Sequence, residues 1–190
     1  MEAFNGFVKR VVSGFNASGL DYVFTGALAA SFYGVPRTTV DVDVLVRVVT
    51  VSDRVKLVSA LKQAGVRVDE KKIEAALKSS YRIATFKDRR SSFSVDVIFS
   101  RERKLEKRAG SILGLPTFYQ APEDLILAKL RMIKATVPRE RALKDEEDVR
   151  AILKFSKVDV EAVKKGARRD STLSTLESIT FTAGRSKKSR

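Results

Sequence analysis

The order of apolar and polar residues divides the N-terminal part of the chain into helical and strand-like segments. Apolar residues recur every three or four positions over residues 4–15, which predicts a first helix that ends near Gly19. Residues 21–25 predict a short strand, and the alternating residues 40–46 predict a second strand. Between them, the alanine-rich residues 26–34 predict a short buried helix.

The middle of the chain continues this mixture of helix and strand. Ser52 is the predicted N-cap of a helix that Gly65 closes, and residues 71–79 predict another helix. Residues 81–86 and 93–99 have the composition of two strands and are separated by a short polar turn. They predict an antiparallel hairpin.

Helical patterns dominate the C-terminal part. Residues 101–109 are charged and predict an exposed helix or loop, and residues 112–119, which contain Gly114 and Pro116, predict irregular structure or a short strand. The Ser/Thr-rich tail from Ser171 predicts loose order. Three further helices are predicted over residues 122–133, 141–155 and 158–169.

These elements together predict an α+β fold, in which helices flank a mixed sheet and a helical C-terminal part follows. We expect an α/β domain over residues 1–110 and a helical region with a basic tail over residues 111–190.

The composition narrows the chemistry that the chain can carry. The sequence has 190 residues without any cysteine or histidine, which excludes thiolate catalysis, Ser-His triads and His- or Cys-ligated metals. Carboxylates, lysines and hydroxyls remain, so a bound metal would be an oxygen-preferring cation such as Mg²⁺ or Mn²⁺. The net charge of +14 favours polyanionic partners, although it also fits solubility alone. We expect no membrane segment and a cytoplasmic location.

Aspartates occur inside two of the predicted strands, where this residue type is unfavourable. Alternation places Asp41 and Asp43 on one face of their strand, with side-chain bases roughly 6–7 Å apart. Asp96 lies in a second, β-branched strand. The pair alone fits a polar strand face, but three carboxylates that meet on one sheet face would repel one another and need a counter-ion such as a divalent metal. Gly26 and Ala27 follow the first strand at the start of a helix, which is a favourable place for a phosphate group.

This ordered set resembles the nucleotidyltransferase superfamily with a polymerase-beta-like palm. The stretch GALAASFYGVPRTTVDVDVLV, residues 26–46, looks closer still to the AbiEii toxin-like and minimal nucleotidyltransferases. Two later segments fit the same group, the helix PEDLILAKLRMI with Lys129 and the segment Arg141-Ala-Leu-Lys-Asp-Glu-Glu-Asp148. The resemblance implies a nucleotidyltransferase-like mixed sheet.

The resemblance also implies a reaction and its site. A nucleoside triphosphate would donate its nucleoside monophosphate to an acceptor hydroxyl on RNA, tRNA, protein or a small molecule, with Mg²⁺ or Mn²⁺ as cofactor. Asp41 and Asp43 would bridge the metals, and Asp96 would bind the metal near the acceptor or act as the base. Gly26 and Ala27 would cradle the triphosphate, although alanine lacks the hydroxyl that serine offers in many active members.

Three more residues are candidate nucleotide-binding residues, each with an alternative role. Arg37 would contact phosphate or hold the carboxylates electrostatically. Lys129 would contact the triphosphate or be a solvent-exposed helix lysine. Asp145 would be a structural or catalytic acid, whereas Lys144, Asp145 and Asp148 without the resemblance fit a surface charge pattern.

Two other functions stay open, a catalytically inactive nucleotide- or RNA-binding module and a carboxylate-metal nuclease or phosphohydrolase. A toxin-like enzyme would also have an antitoxin protein as partner. The basic segments over residues 101–108, 164–169 and 185–190 could contact an RNA acceptor or be solvated faces.

Overall fold

A six-stranded mixed sheet and eight α-helices make up the described part of the chain. The computed structural model describes residues 2–35 and 37–185. The strands are β1 (Asp21–Phe24), β2 (Asp41–Arg47), β3 (Ile83–Lys87), β4 (Ser94–Phe99), β5 (Lys107–Ile112) and β6 (Leu115–Gln120). The helices are α1 (Glu2–Ser18), α2 (Gly26–Phe32), α3 (Val51–Gln63), α4 (Glu70–Lys78), α5 (Pro122–Ala135), α6 (Leu143–Phe155), α7 (Val160–Arg169) and α8 (Leu173–Arg185), and a 3₁₀ turn covers Arg139–Ala142.

The described residues group into two compact units. One consists of the described residues within Met1–Ala29 and Arg37–Gln120, and the other of those within Ala30–Pro36 and Ala121–Arg190. We call them the sheet unit and the helical unit. The expected functional domains over residues 1–110 and 111–190 stay a prediction.

The sheet unit is built on the strand order β3-β4-β2-β1-β6-β5. β2 runs parallel to β4 and antiparallel to β1, while β1 is parallel to β6. The predicted hairpin is present as the antiparallel pair β3–β4. Along β2 and β4 the valines at alternate positions are fully buried, because β-branched side chains pack well on a pleated surface.

A paired carboxylate lies in the turn of this hairpin. Asp88 is buried, and its Oδ1 accepts a hydrogen bond from the Arg10 guanidinium at 2.9 Å, while the Ser91 hydroxyl donates to Oδ2 at 2.7 Å. Burial would raise the pKa of Asp88, but the hydrogen bonds from Ser91 and Arg10 and the charge of Arg10 hold it below its ordinary value. The buried carboxylate of Asp88 therefore has a counter-charge, Arg10, within the sheet unit.

The helical unit packs α5 against α6, α7 and α8. Apolar side chains from three of these helices are fully buried, including Leu130, Ile152 and Ile179. Gly166 lets α7 approach closely, since a Cβ there would lie 2.4 Å from Leu127 Cδ1. Among the described helices, none is long and apolar enough to cross a membrane.

Three local predictions are wrong. The N-cap of α3 is Thr50 and not Ser52, because Thr50 and Asp53 form a reciprocal capping box. Residues 107–109 do not continue the charged loop but begin β5, where Lys107 forms an ion pair with Asp21 at 2.6 Å. Tertiary pairing thus overrides the local charge pattern.

The tail is the third correction, since α8 runs over residues that were expected to be loosely ordered. Leu176 and Ile179 have helical spacing and are buried, which supplies the reason for order. Most of the basic terminal segment, residues 186–190, lies outside the described residues. Of the two alternatives for residues 112–119, the strand is confirmed as β6.

Candidate active site

Two of the strand aspartates are direct neighbours in the sheet. β2 and β4 are parallel, and their register pairs Asp43 with Asp96 and Asp41 with Ser94. Adjacent strands lie about 4.8 Å apart, and paired residues of parallel strands point to the same face. Asp41, Asp43 and Asp96 therefore share one face of the sheet, opposite the buried valines. All three are half-buried.

The carboxylate of Asp96 is incompletely satisfied. Its Oδ1 atom is buried and has no hydrogen-bond partner among the described residues. Buried polar atoms in native proteins are nearly always hydrogen-bonded, because leaving one unpaired costs about 1–3 kcal/mol, and more for a charged group. Asp41 differs, since its Oδ1 accepts a hydrogen bond from the Thr39 hydroxyl. An enclosed acceptor beside a second carboxylate is the arrangement expected where a cation or a proton donor binds.

Gly26 is fitted against the carboxylate of Asp43. Its φ is +58°, and a Cβ at this position would lie 1.9 Å from Asp43 Oδ2. The preceding Thr25 N–H donates to the Asp43 carbonyl oxygen at 3.0 Å, so β1 and β2 are tied together just before α2 begins. Only glycine combines this backbone conformation with the space that the carboxylate needs. The structure shows that this glycine makes room for Asp43, and its predicted contact with phosphate stays a prediction.

The neighbouring candidates lie in the same unit. Ala27 is buried in the first turn of α2, and Arg37 is half-buried. Their roles toward a triphosphate stay predictions, and both alternatives for Arg37 stay open.

The described residues do not form a complete metal centre by themselves. Over residues 2–35 and 37–185, no group of three or more Asp, Glu, His or Cys side chains could hold a metal ion. The donors nevertheless fit Mg²⁺, which is usually bound through one or two carboxylates together with substrate phosphates. The pairing of Asp43 with Asp96 and the unpartnered Oδ1 atom supply that smaller set.

Lys129 and Asp145 belong to the helical unit and form a buried ion cluster there. Lys129 on α5 is buried, so the solvent-exposed alternative is wrong. Its Nζ lies 2.9 Å from Asp145 Oδ1 and 2.6 Å from Asp148 Oδ2, both on α6. The predicted nucleotide contacts of Lys129 and Asp145 stay untested, and the structure shows that the two side chains contact each other.

Asp148 is the member of this cluster that was not among the predicted site residues, although it belongs to the segment that carries the resemblance. It is buried, whereas Lys144 in the same segment is exposed, so the surface charge pattern describes only part of the segment. The signal that points to Asp148 is its spacing from Asp145. Residues three apart on a helix lie on the same face, so the two aspartates are neighbours on α6.

The chain is similar to known proteins in structure and matches none of them in sequence. No family model matches the sequence, and no curated protein matches it. The solution structure of the antibiotic-resistance factor ANT(2'')-Ia aligns with a TM-score of 0.65 at 17% identity, covering 95% of this chain and 98% of that one. The chain has the nucleotidyltransferase fold.

Two further structures with the nucleotidyltransferase fold agree. A crystal structure of ANT(2'')-Ia in complex with adenylyl-2''-tobramycin aligns with a TM-score of 0.63 at 16% identity, covering 88% of this chain and 97% of that one. An antigenic nucleotidyltransferase-like protein from Paracoccidioides brasiliensis gives 0.56 at 14% identity, covering 92% and 91%. The predicted superfamily fold is thus confirmed, and the closer resemblance to the AbiEii toxin-like group stays a prediction.

Proposed function

We propose that this chain is a divalent-metal-dependent nucleotidyltransferase that moves a nucleoside monophosphate from a nucleoside triphosphate to an acceptor hydroxyl. The observation that carries the proposal is the in-register pair Asp43 and Asp96, with the buried, unpartnered Oδ1 of Asp96. The nucleotidyltransferase fold of the chain supports the proposal.

The metal would be held by Asp43 and Asp96 together with phosphate oxygens of the substrate, with Asp41 beside them on the same face. A bound divalent cation supplies charge neutralisation to the phosphate oxygens. Gly26 keeps the space into which the Asp43 carboxylate fits. The N–H groups of Gly26 and Ala27, at the start of α2, would donate to the triphosphate.

The transfer itself is a displacement at the α-phosphorus. The acceptor oxygen forms a bond to this phosphorus, the bond to the bridging oxygen breaks, and pyrophosphate leaves. The hydroxyl proton needs an acceptor, and Asp96 Oδ1 is a buried oxygen without a donor among the described residues. Asp96 would therefore accept this proton or help hold the cation.

The acceptor is the less defined part of the proposal. RNA, tRNA, protein and small-molecule hydroxyls all remain candidates, and the adenylylated tobramycin bound to ANT(2'')-Ia adds aminoglycosides to the set to be tested. A toxin-like role would require transfer to an essential RNA or protein and an antitoxin that blocks it. The competing function is an inactive nucleotide- or RNA-binding module, favoured by the absence of a three-ligand metal group in the described residues.

The experiment is a transfer assay with each α-labelled triphosphate and Mg²⁺ or Mn²⁺. Total RNA, a protein extract and an aminoglycoside mixture serve as acceptors. We expect Asp43→Asn to lower label transfer by at least about 100-fold, since it removes a charge that stabilises the reacting phosphate. Asp21→Asn is the matched control, because Asp21 is a strand aspartate of the same sheet that pairs with Lys107.

The two candidate functions give different results in this assay. Transfer that survives in Asp21→Asn and is lost in Asp43→Asn supports the enzyme. Absence of transfer to every acceptor, with equal nucleotide affinity in the wild type and in Asp43→Asn, would favour the inactive binding module.

A further inference from the structure

An open cleft in the sheet unit is lined by arginines that the proposed reaction does not use. Its volume is about 690 Å³, and the described residues around it include five arginines and one acid, Glu102. We call it the arginine cleft. Its arginines come from the end of β2, from α3, from the start of the β3 hairpin and from the loop after β4, and they are Arg47, Arg54, Arg82, Arg101 and Arg103.

The positive charge of the cleft is largely uncompensated. Among the described residues, Arg47, Arg101 and Arg103 form no ion pair. Arg54 approaches Glu74 only at 3.9 Å, and both side chains are well exposed, so this contact is weak. Since like charges repel, five arginines gathered around one acid, Glu102, indicate a surface that meets an anion.

Arg82 is held in the cleft by the backbone. Its Nε donates to the Phe99 carbonyl at 2.8 Å and its Nη1 to the Leu77 carbonyl at 2.9 Å. Its φ is 51°, in the left-handed region that non-glycine residues rarely adopt. Neutral carbonyls fix this guanidinium without cancelling its charge, so it is a preorganised cation. Strained backbone of this kind concentrates at functional positions.

An exposed aromatic residue directly precedes the fixed arginine in the chain, just outside the residues that line the cleft. Tyr81 precedes Arg82 in the chain, and 84% of its surface is accessible. Aromatic side chains next to a basic groove serve as platforms on which unpaired bases stack. We propose that the arginine cleft binds the phosphodiester backbone of single-stranded nucleic acid, with Tyr81 stacking on a base.

The position of Arg47 relates this surface to the carboxylates. Arg47 lies on the same face of β2 as Asp43 and four residues further along, which corresponds to about 13 Å. A nucleic-acid strand bound through Arg47 would thus lie near the face of the sheet that carries Asp43. Binding in the cleft does not depend on nucleotidyl transfer, so Asp43→Asn should bind nucleic acid like the wild type even where transfer is lost.

The test is fluorescence anisotropy with an end-labelled, unstructured 20-nucleotide RNA over a salt series. We expect Arg101→Gln/Arg103→Gln to weaken binding at least about tenfold and to reduce the salt slope by about 1.4, the value for two lost contacts to a single strand. The control is Arg89→Gln/Arg90→Gln, which removes the same charge from exposed arginines in the β3–β4 turn. It should weaken binding less than twofold, and circular dichroism melts should show that both variants are folded.

Further arms separate the contribution of bases from that of charge. Tyr81→Ala should weaken single-strand binding at least about fivefold and leave duplex RNA binding unchanged. Equal affinity for DNA of the same sequence supports recognition of backbone and base, and a preference for RNA supports the proposal with a 2'-hydroxyl contact added. The proposal would be overturned if both arginine double variants lost RNA affinity equally, or if Tyr81→Ala bound single-stranded RNA like the wild type. Tighter binding of a poly-glutamate peptide of equal charge would also overturn it.

Discussion

Two groups of carboxylates, one in each unit, differ in how their charge is compensated. In the helical unit, Asp145 and Asp148 surround the buried amine of Lys129 at 2.9 and 2.6 Å. In the sheet unit, Asp43 and Asp96 are neighbours across two strands, and Asp96 Oδ1 has no hydrogen-bond partner among the described residues. The cluster in the helical unit includes a lysine as counter-ion, whereas the group in the sheet unit includes a buried oxygen that a ligand could satisfy.

The difference separates a structural role from a binding role. A buried ion cluster fixes the packing of the helices that carry it, and removing one of its partners costs stability. A buried acceptor without a donor costs stability in the free protein, and a bound ligand that satisfies it would remove this cost. We therefore expect substitutions in the helical unit's cluster to lower stability, and substitutions in the sheet unit's group to weaken ligand binding.

The largest expected effect on stability is that of Lys129→Met. It removes the amine that lies 2.6 Å from the buried carboxylate of Asp148, and we expect the free energy of unfolding to fall by about 3–5 kcal/mol in urea denaturation. The double variant Lys129→Met/Asp148→Asn should recover much of this loss, because both charges are removed together.

A matched lysine controls for the loss of charge alone. Lys164 on α7 also pairs with an acid, Glu161 at 2.7 Å, but both side chains are exposed. Lys164→Met should change the free energy of unfolding by no more than about 0.5 kcal/mol. If Lys129→Met were equally mild, the cluster would not be structural, and the predicted nucleotide contact of Lys129 would gain support.

A smaller effect is expected for Gly26→Ala, which acts on the other carboxylate group. The added Cβ would overlap Asp43 Oδ2, so the carboxylate must move. We expect a loss of about 1–3 kcal/mol from this crowding, in addition to about 1 kcal/mol for an alanine at positive φ. Nucleotide binding measured by calorimetry should weaken with it.

Gly19→Ala isolates the backbone contribution. Gly19 has a φ of +65°, close to that of Gly26, but its added Cβ would meet nothing within 4 Å. This variant should lose only the backbone part of the stability and retain nucleotide binding. If both variants lost the same stability and bound nucleotide equally well, the close approach of Gly26 to Asp43 would not contribute to nucleotide binding.

The strands of the candidate site were predictable because their signals are local. Alternating β-branched residues identified β2 and β4, and the aspartates within them were conspicuous. The pairing of Asp43 with Asp96 was not predictable from pattern alone, since it depends on β4 docking beside β2 after a long connection. The sheet order is a tertiary property that strand periodicity does not contain.

Contacts between distant residues account for the rest. Lys129 has the pattern of an ordinary helix lysine, and only the packing of α5 against α6 shows that it is buried between two carboxylates. The strand β5 begins in a charged segment because β6 offers a pairing edge and Asp21 a counter-charge. The helix α8 had a readable signal in Leu176 and Ile179, which the Ser/Thr-rich composition obscured.

The most direct test is calorimetric titration of Mn²⁺ and a non-hydrolysable triphosphate into the wild type, Asp96→Asn and Asp21→Asn. If the Asp43–Asp96 pair binds the metal-nucleotide complex, Asp96→Asn should lower its affinity at least about tenfold while leaving the free energy of unfolding within about 1 kcal/mol. Asp21→Asn should retain the affinity, because its carboxylate is occupied by Lys107. Wild-type affinity in Asp96→Asn, or an equal loss in Asp21→Asn, would contradict a nucleotide site at this pair.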